Sequence, residues 1–255
     1  MIRALRLPLA LCAALVFWQA LVSVTGLPPF ILPPPERVLT TLWSSRALIA
    51  EHAGITLTEI LAGLLLGSLF GAGTAVAMAA LPRLEAVLRP VLVFSQTIPV
   101  FALAPLLTLW LGYGLSAKIV MAVLVIFFPV ASAFHDAILA TPRGWIEQGR
   151  VMGATPARLL WQVRLPAALP GLASGLRLAA VYAPIGAVIG EWVGSSGGLG
   201  YLMLLANGRA KTDLMFAALL VLAAMTLALH WAIDRLATRA SLRMRGERRA
   251  TASPR

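Results

Sequence analysis

Long stretches free of charge alternate along this chain with short charged clusters. No Asp, Glu, Lys or Arg occurs in 7–35, 60–82, 90–117, 119–134, 178–190 or 214–233. About 20 mostly apolar residues suffice to cross a bilayer as a helix. The blocks therefore predict about six spans, near 7–25, 55–80, 90–111, 115–134, 170–192 and 213–235. The expected fold class is an all-α membrane protein of about six transmembrane helices. Between the fourth and fifth spans lies a charged segment with Glu147, Arg150, Arg158 and Arg164.

Local signals divide the chain further. Residues 1–26 read as the first transmembrane helix, and 27–54 as an outer segment whose prolines (Pro28, Pro29, Pro33, Pro34, Pro35) lead into a short interfacial helix. That helix would carry Val38, Leu39, Leu42, Trp43 and Ile49 on one side. Residues 55–238 form the core with five spans, and 239–255 a basic tail without an apolar face, expected to be disordered near anionic headgroups. In the second span Gly63, Gly67 and Gly71 stand four apart, a flat face for another helix of the same chain or of a second copy. Pro99 and Pro105 interrupt the third span and Pro184 the fifth. Each proline removes a backbone donor and kinks its helix. At membrane depth such breaks persist where neighbours or a cavity satisfy the freed carbonyls.

The charged segment has its own punctuation. A helix over 143–152 would end at Gly153, a residue that tolerates the left-handed conformation. Thr155 offers an N-cap and Pro156 fits the first helical position, where its missing N–H costs nothing. A second short helix, 156–163, would then stop before Leu165-Pro166. Two short helices about a sharp turn, each joined to a span, suit the transmission of force, and their exposed apolar side chains call for a partner surface.

Composition narrows the function. The 255 residues are 60% hydrophobic and 12% charged, with a net charge of +11. Placing the N-terminus in the cytoplasm leaves fifteen basic residues inside, including Arg83, Arg89, four in the charged segment and seven from Arg235 onward. Five fall outside (Arg37, Arg46, Lys118, Arg209, Lys211), with Arg177 inside the fifth span. That asymmetry puts both termini and the charged segment in the cytoplasm. It also accounts for the positive charge without nucleic acid, since no basic stripe with interleaved aromatics is present. The N-terminus imitates a signal peptide, and Leu9-Ala10-Leu11-Cys12 imitates a lipoprotein site, but the bulky Leu11 and the longer apolar run favour an uncleaved helix. His135-Asp136, His52 and His230 do not share a helix face, so no metal site is expected. No phosphate-binding G-x4-G-K-[ST] motif or Ser/His/Asp arrangement occurs, so the chain is not expected to be an enzyme.

Glu147-x5-Gly153-x9-Val163-x-Leu165-Pro166 resembles the "EAA" loop of ABC-importer permeases, with Gln148-Gly149 in place of two alanines and Val163 in place of isoleucine. Permeases of the nitrate, sulfonate and taurine type are similar at several further places. These are Ile31-Leu32-Pro33-Pro34-Pro35, Pro99-x5-Pro105-Leu106, Phe127-Phe128-Pro129, Gly175-Leu176-Arg177 and Gly198-Leu199-Gly200-Tyr201. Glu191-Trp192-Val193-Gly194 and Asn207-x5-Asp213-Leu214-Met215-Phe216 look most like permeases for pyrimidine precursors of thiamine, with sulfonate, taurine or nitrate as alternatives.

The resemblance implies a type I ABC-importer permease in a bacterial inner membrane. It implies a homodimer, two ATP-binding subunits that carry ATP and Mg, and a periplasmic binding protein that delivers a small molecule. This chain itself would hold no cofactor. The coupling loop, 141–168, would engage the ATPase through Glu147, Gly153, Ala154, Thr155, Pro156, Leu159, Leu160, Leu165 and Pro166.

Polar residues in hydrocarbon are costly and tend to face a bundle interior or cavity. Ser95, Gln96, Thr97 and Pro99 in the third span, Arg177 and Glu191 in the fifth, and Asn207 beyond it are accordingly the candidates for pathway or gate. Simple interhelical bonding, snorkelling of Arg177 and an interfacial Glu191 account for the same residues. Gly194-Ser195-Ser196-Gly197-Gly198 would permit a hinged or re-entrant outer loop. A stand-alone secondary transporter is the outside alternative, and it would show an internal repeat that this chain lacks.

Overall fold

The structure, a computed structural model, describes the backbone of residues 2–251 and the side chains of Leu9 and 12–239. Its regular elements among these residues are all helical. In order they are α1 (Ile2–Thr25), α2 (Pro35–Ser44), α3 (Arg46–Ala80), α4 (Pro82–Ser95), α5 (Val100–Leu111) and α6 (Leu115–Leu139). There follow α7 (Arg143–Val151), α8 (Pro156–Leu159), a π-helical turn (Leu160–Arg164), α9 (Leu165–Gly194), α10 (Leu199–Gly208) and α11 (Thr212–Thr251). Among the described residues four runs are long and apolar enough to cross a bilayer, Arg46–Ala80, Leu115–Leu139, Pro156–Gly194 and Thr212–Arg239, and the bent pair α4–α5 makes a fifth if it counts as one broken span. The described apolar part of α1, Cys12–Thr25, is shorter than a span.

The predicted third span, 90–111, is not one helix. It divides into α4 and α5, which meet at 100°. The four-residue break holds Pro99 as the N-cap of α5, and Pro90 and Pro105 lie inside the two halves. Residues that precede proline avoid the helical region, so the chain turns there instead of bending. The outer amphipathic helix also ends earlier than its pattern suggests. Ser45 interrupts it, and Ile49 belongs to α3. At the other end the backbone of α11 stays helical to Thr251, where a disordered tail was expected from Arg239. Arg, Leu, Met, Glu and Ala all favour helix, so a stretch without an apolar face can still be helical. Residues 252–255 lie outside the described residues.

The residues group into two compact units. One comprises Leu57–Ser195 with Met225–Arg255. Its core joins Ile60 and Leu64 of α3, Ala122, Ile126 and Val130 of α6, and Ala179, Ala183 and Ala187 of α9. Small residues on the outer two helices bring them close to α6. A Cβ on Gly71 would stand 2.6 Å from the Phe127 carbonyl oxygen, and one on Gly186 2.7 Å from the Ala122 Cα. The row Gly63, Gly67 and Gly71 faces Ala122, Ile126 and Phe127, so it serves packing within the chain. Gly73 meets nothing within 4 Å.

The other unit comprises Met1–Thr56 with Ser196–Ala224. Here α3 caps α10 from the side. Thr56 Oγ1 accepts from the Leu199 N–H at 2.7 Å, and His52 Nδ1 accepts from the Gly198 N–H at 3.0 Å. Helix N-termini leave such donors without intrahelical partners. Asp213, at the start of α11, accepts from Thr41 Oγ1 at 2.9 Å and pairs with Arg37 at 3.5 Å. Thr212 Oγ1 donates to the Pro29 carbonyl at 2.9 Å, and Trp18 packs on Phe216 with centroids 5.5 Å apart.

Candidate functional site

The charged segment closes α7 with a Schellman turn. Gly153 takes φ +78, its N–H donates to Arg150 O at 2.9 Å, and the Ala154 N–H reaches back to Gly149 O at 3.0 Å. Thr155 then caps α8, its hydroxyl accepting from the Arg158 N–H at 3.3 Å, with Pro156 next as the first helical residue. Gly149 has a role its position in the motif did not reveal: a Cβ there would lie 2.5 Å from Leu159 Cδ2. The missing side chain makes room for Leu159 between the two short helices.

The second short helix does not stop before Leu165-Pro166, as the proline had suggested. It passes through the π-helical turn into α9, and Pro156–Gly194 forms a single run of 39 residues. The Leu165 N–H bonds to Leu160 O, five residues back. A widened turn absorbs the proline that follows, which has no N–H and would crowd the carbonyl four residues earlier.

This geometry gives the segment a root and a tip. Leu160 and Leu165 are buried with Phe134 and Ile138 of α6, Ala75 of α3 and Ala168 of α9. At the tip, Val151 is 89% exposed and Met152 79%, and Trp161, in the π-helical turn, is 63% exposed. Glu147 is exposed on α7. A rigid turn thus offers apolar side chains on one side and is anchored in a helix core on the other.

The pathway candidates fall in several places. Ser95 and Thr97 donate to Leu92 O at 2.7 Å and Phe94 O at 2.8 Å, so both hydroxyls close the end of α4. The Gln96 amide lies 3.3 Å from Ser95 Oγ, and its side chain opens onto a cleft with Val100, Phe128, Ser132, Asp136 and Tyr182. Thr97 lines a different cleft, along α4. Arg177 finds an acid on its own chain: its Nε donates to Asp234 on α11 at 2.6 Å, and Thr238 lies at 3.5 Å. Asn207 is exposed near the end of α10, its carbonyl accepting from the Ala210 N–H at 3.0 Å.

Glu191 lies in a buried charged cluster. Glu59 on α3 is 0% exposed and Glu191 on α9 1%. Lys118 Nζ on α6 donates to Glu59 Oε1 at 2.6 Å, and Glu191 stands close enough to Glu59 for the two carboxyls to interact. Lys118 had been assigned to an outer loop on its charge alone; it is buried within α6. A sequence signal existed, because Lys118 is the single charge dividing 90–117 from 119–134. A charge isolated in apolar sequence asks for a buried partner. His135 and Asp136 also part ways: His135 is buried 3.7 Å from Glu85 on α4, while Asp136 faces the cleft with Ser132. No group of three or more metal-ligating side chains occurs among the described residues.

Residues 63–246 match the family described as "Binding-protein-dependent transport system inner membrane component". A probable ABC transporter permease protein of Haemophilus influenzae is 51% identical over 233 residues, 91% of this chain and 95% of that protein. A riboflavin transport system permease protein of Chloroflexus aurantiacus is 42% identical, covering 89% and 85%. A formylaminopyrimidine transport permease protein of Halalkalibacterium halodurans is 39% identical, covering 73% and 75%. In fold, the inward-facing MetNI methionine ABC transporter is similar with a TM-score of 0.67 at 24% identity, covering 77% of this chain and 97% of that one.

Proposed function

Because this chain belongs to the family of binding-protein-dependent transport system inner membrane components, we propose that two copies of it form the path by which a pyrimidine precursor of thiamine enters the cell. The chain is the membrane permease subunit of an ABC importer, and ATP hydrolysis belongs to a partner ATPase. A binding protein delivers the substrate to such a complex. The names borne by two relatives, riboflavin and formylaminopyrimidine, both denote planar nitrogen heterocycles and support a substrate of that kind. Uptake of sulfonate, taurine or nitrate by the same machinery is the alternative.

The observation that carries the coupling role is the rigid turn at Gly153, with Val151 and Met152 exposed at its tip, Trp161 exposed beside the π-helical turn, and Leu160 and Leu165 buried at its root. Closure of the ATPase pair pushes on the tip. The cap at Thr155 and the Schellman turn keep α7 and α8 from yielding. The push therefore passes through Leu160 and Leu165 to α6 and α9, and movement of those helices between the two copies alternates access. In the proposed orientation the turn and both termini lie in the cytoplasm.

Gly153→Pro tests this directly, since proline holds φ near −65° and cannot adopt +78. Ala154→Arg adds bulk and charge beside the same turn. Both variants should insert at normal abundance, fail to retain the ATPase on gentle solubilisation, and abolish uptake. Wild-type uptake by both would remove the coupling assignment.

A further inference from the structure

We propose that the cleft between the α4–α5 turn, α6 and α9 is a transit site for a neutral or cationic planar heterocycle bearing an amino group, and that it disfavours anions. This rests on the reading that the chain conducts a heterocyclic nutrient. Every described lining residue belongs to the Leu57–Ser195 unit, and the volume is about 570 Å³. Small-molecule sites run from about 300 to 1,000 Å³ and are mostly apolar with a few placed polar groups.

Three features set the ligand class. First, Asp136 brings a carboxylate to the wall, and among the described residues no Arg, Lys or His lines the cleft. A sulfonate or nitrate would meet a like charge with no compensating cation, whereas an amino group or ring N–H would meet an acceptor. Second, the polar groups can bond a ring edge. Ser132 donates to Asp136 Oδ2 at 3.4 Å, and the Gln96 amide offers both a donor and an acceptor. Third, Phe128 and Tyr182 contribute aromatic surface to the same cleft, which suits a flat ring through stacked or edge contacts. Pro129 adds a further acceptor: it has no N–H, so the Val125 carbonyl loses its usual intrahelical donor, and both residues line the cleft.

The site lies apart from the Glu59–Lys118–Glu191 cluster, which is closed to solvent. It also excludes Arg177, whose guanidinium is held by Asp234.

The test uses the full transporter, with its ATPase and binding protein, reconstituted in vesicles. Uptake of radiolabelled formylaminopyrimidine is measured per ATP hydrolysed, with radiolabelled methanesulfonate, which carries a net negative charge and no amino group, as the anionic probe. Asp136→Lys should lower heterocycle uptake per ATP about tenfold or more, and Asp136→Asn, Gln96→Leu and Tyr182→Leu about threefold to tenfold. Leu109→Ala, at an exposed position on α5 outside the cleft, should transport as the wild type does. Four cleft variants with wild-type uptake per ATP would overturn the transit site while leaving the wild-type substrate reading intact. Losses of uptake that track losses of ATP hydrolysis would also overturn it, as marks of folding or coupling. A wild-type complex that carries methanesulfonate but not the heterocycle would instead overturn the substrate class and the reading beneath it.

Discussion

Lys118, Glu59 and Glu191 place three ionisable side chains where three helices meet, with both acids at or below 1% exposure. Removing one partner of a buried ion pair leaves the other charge without compensation and costs about 3–5 kcal/mol. Lys118→Met should therefore lower the thermal midpoint of the solubilised protein sharply. Adding Glu59→Gln should recover part of the loss, because the charge stranded by the first change is then gone. Equal midpoints for wild type and Lys118→Met would show that the lysine does not hold the acids. Arg177 illustrates the limit of reading depth alone. Its position in the fifth span suited snorkelling or a gate, while its partner, Asp234, is 57 residues away on another helix and no spacing rule connects the two.

At the scale of elements, small residues decide which helices touch. Gly71 and Gly73 look alike in the sequence, two residues apart on one helix, yet they point to different surroundings. Gly71→Ala should destabilise the protein by about 1–3 kcal/mol, because its Cβ would press on the backbone of α6, which cannot swing aside. Gly73→Ala should leave the thermal midpoint unchanged or slightly raised, since open space and better helix propensity act together. Equal effects of the two would refute the close approach of α3 to α6. The capped turn was legible in advance, because glycine, threonine and proline act within a few residues of themselves. The continuation through Pro166 was not. The shift to a π-helical turn depends on Leu160 and Leu165 being held in the core, and that is a long-range cause.

For the whole molecule, the proposed orientation rests on fifteen basic residues assigned to one side against five on the other. Lys118 is one of those five and is buried in α6, so the outer tally shrinks to four and the asymmetry only sharpens. A green fluorescent protein fused after Arg239 should fluoresce and an alkaline phosphatase fused there should be inactive. The reverse pair of results would place the C-terminus outside and remove the coupling turn from reach of an ATPase. The grouping of Met1–Thr56 with Ser196–Ala224 joins segments more than a hundred residues apart, through bonds such as Thr56 to Leu199 and Arg37 to Asp213. Distance in sequence hides such pairs from any local pattern.

The amino-acid sequence by itself determined what depends on nearest neighbours and on the solvent: a helical membrane chain, its apolar blocks, the breaks at proline, and the capped turn at Gly153 with its family resemblance. Apolar length answers to bilayer thickness, and caps answer to residues one turn away, so both can be read along a line. Tertiary structure alone decided the direction each glycine faces, the burial of Lys118 against two acids and the meeting of Gln96, Ser132, Asp136 and Tyr182 around one cleft. Those are agreements between helices, set by packing and desolvation in three dimensions.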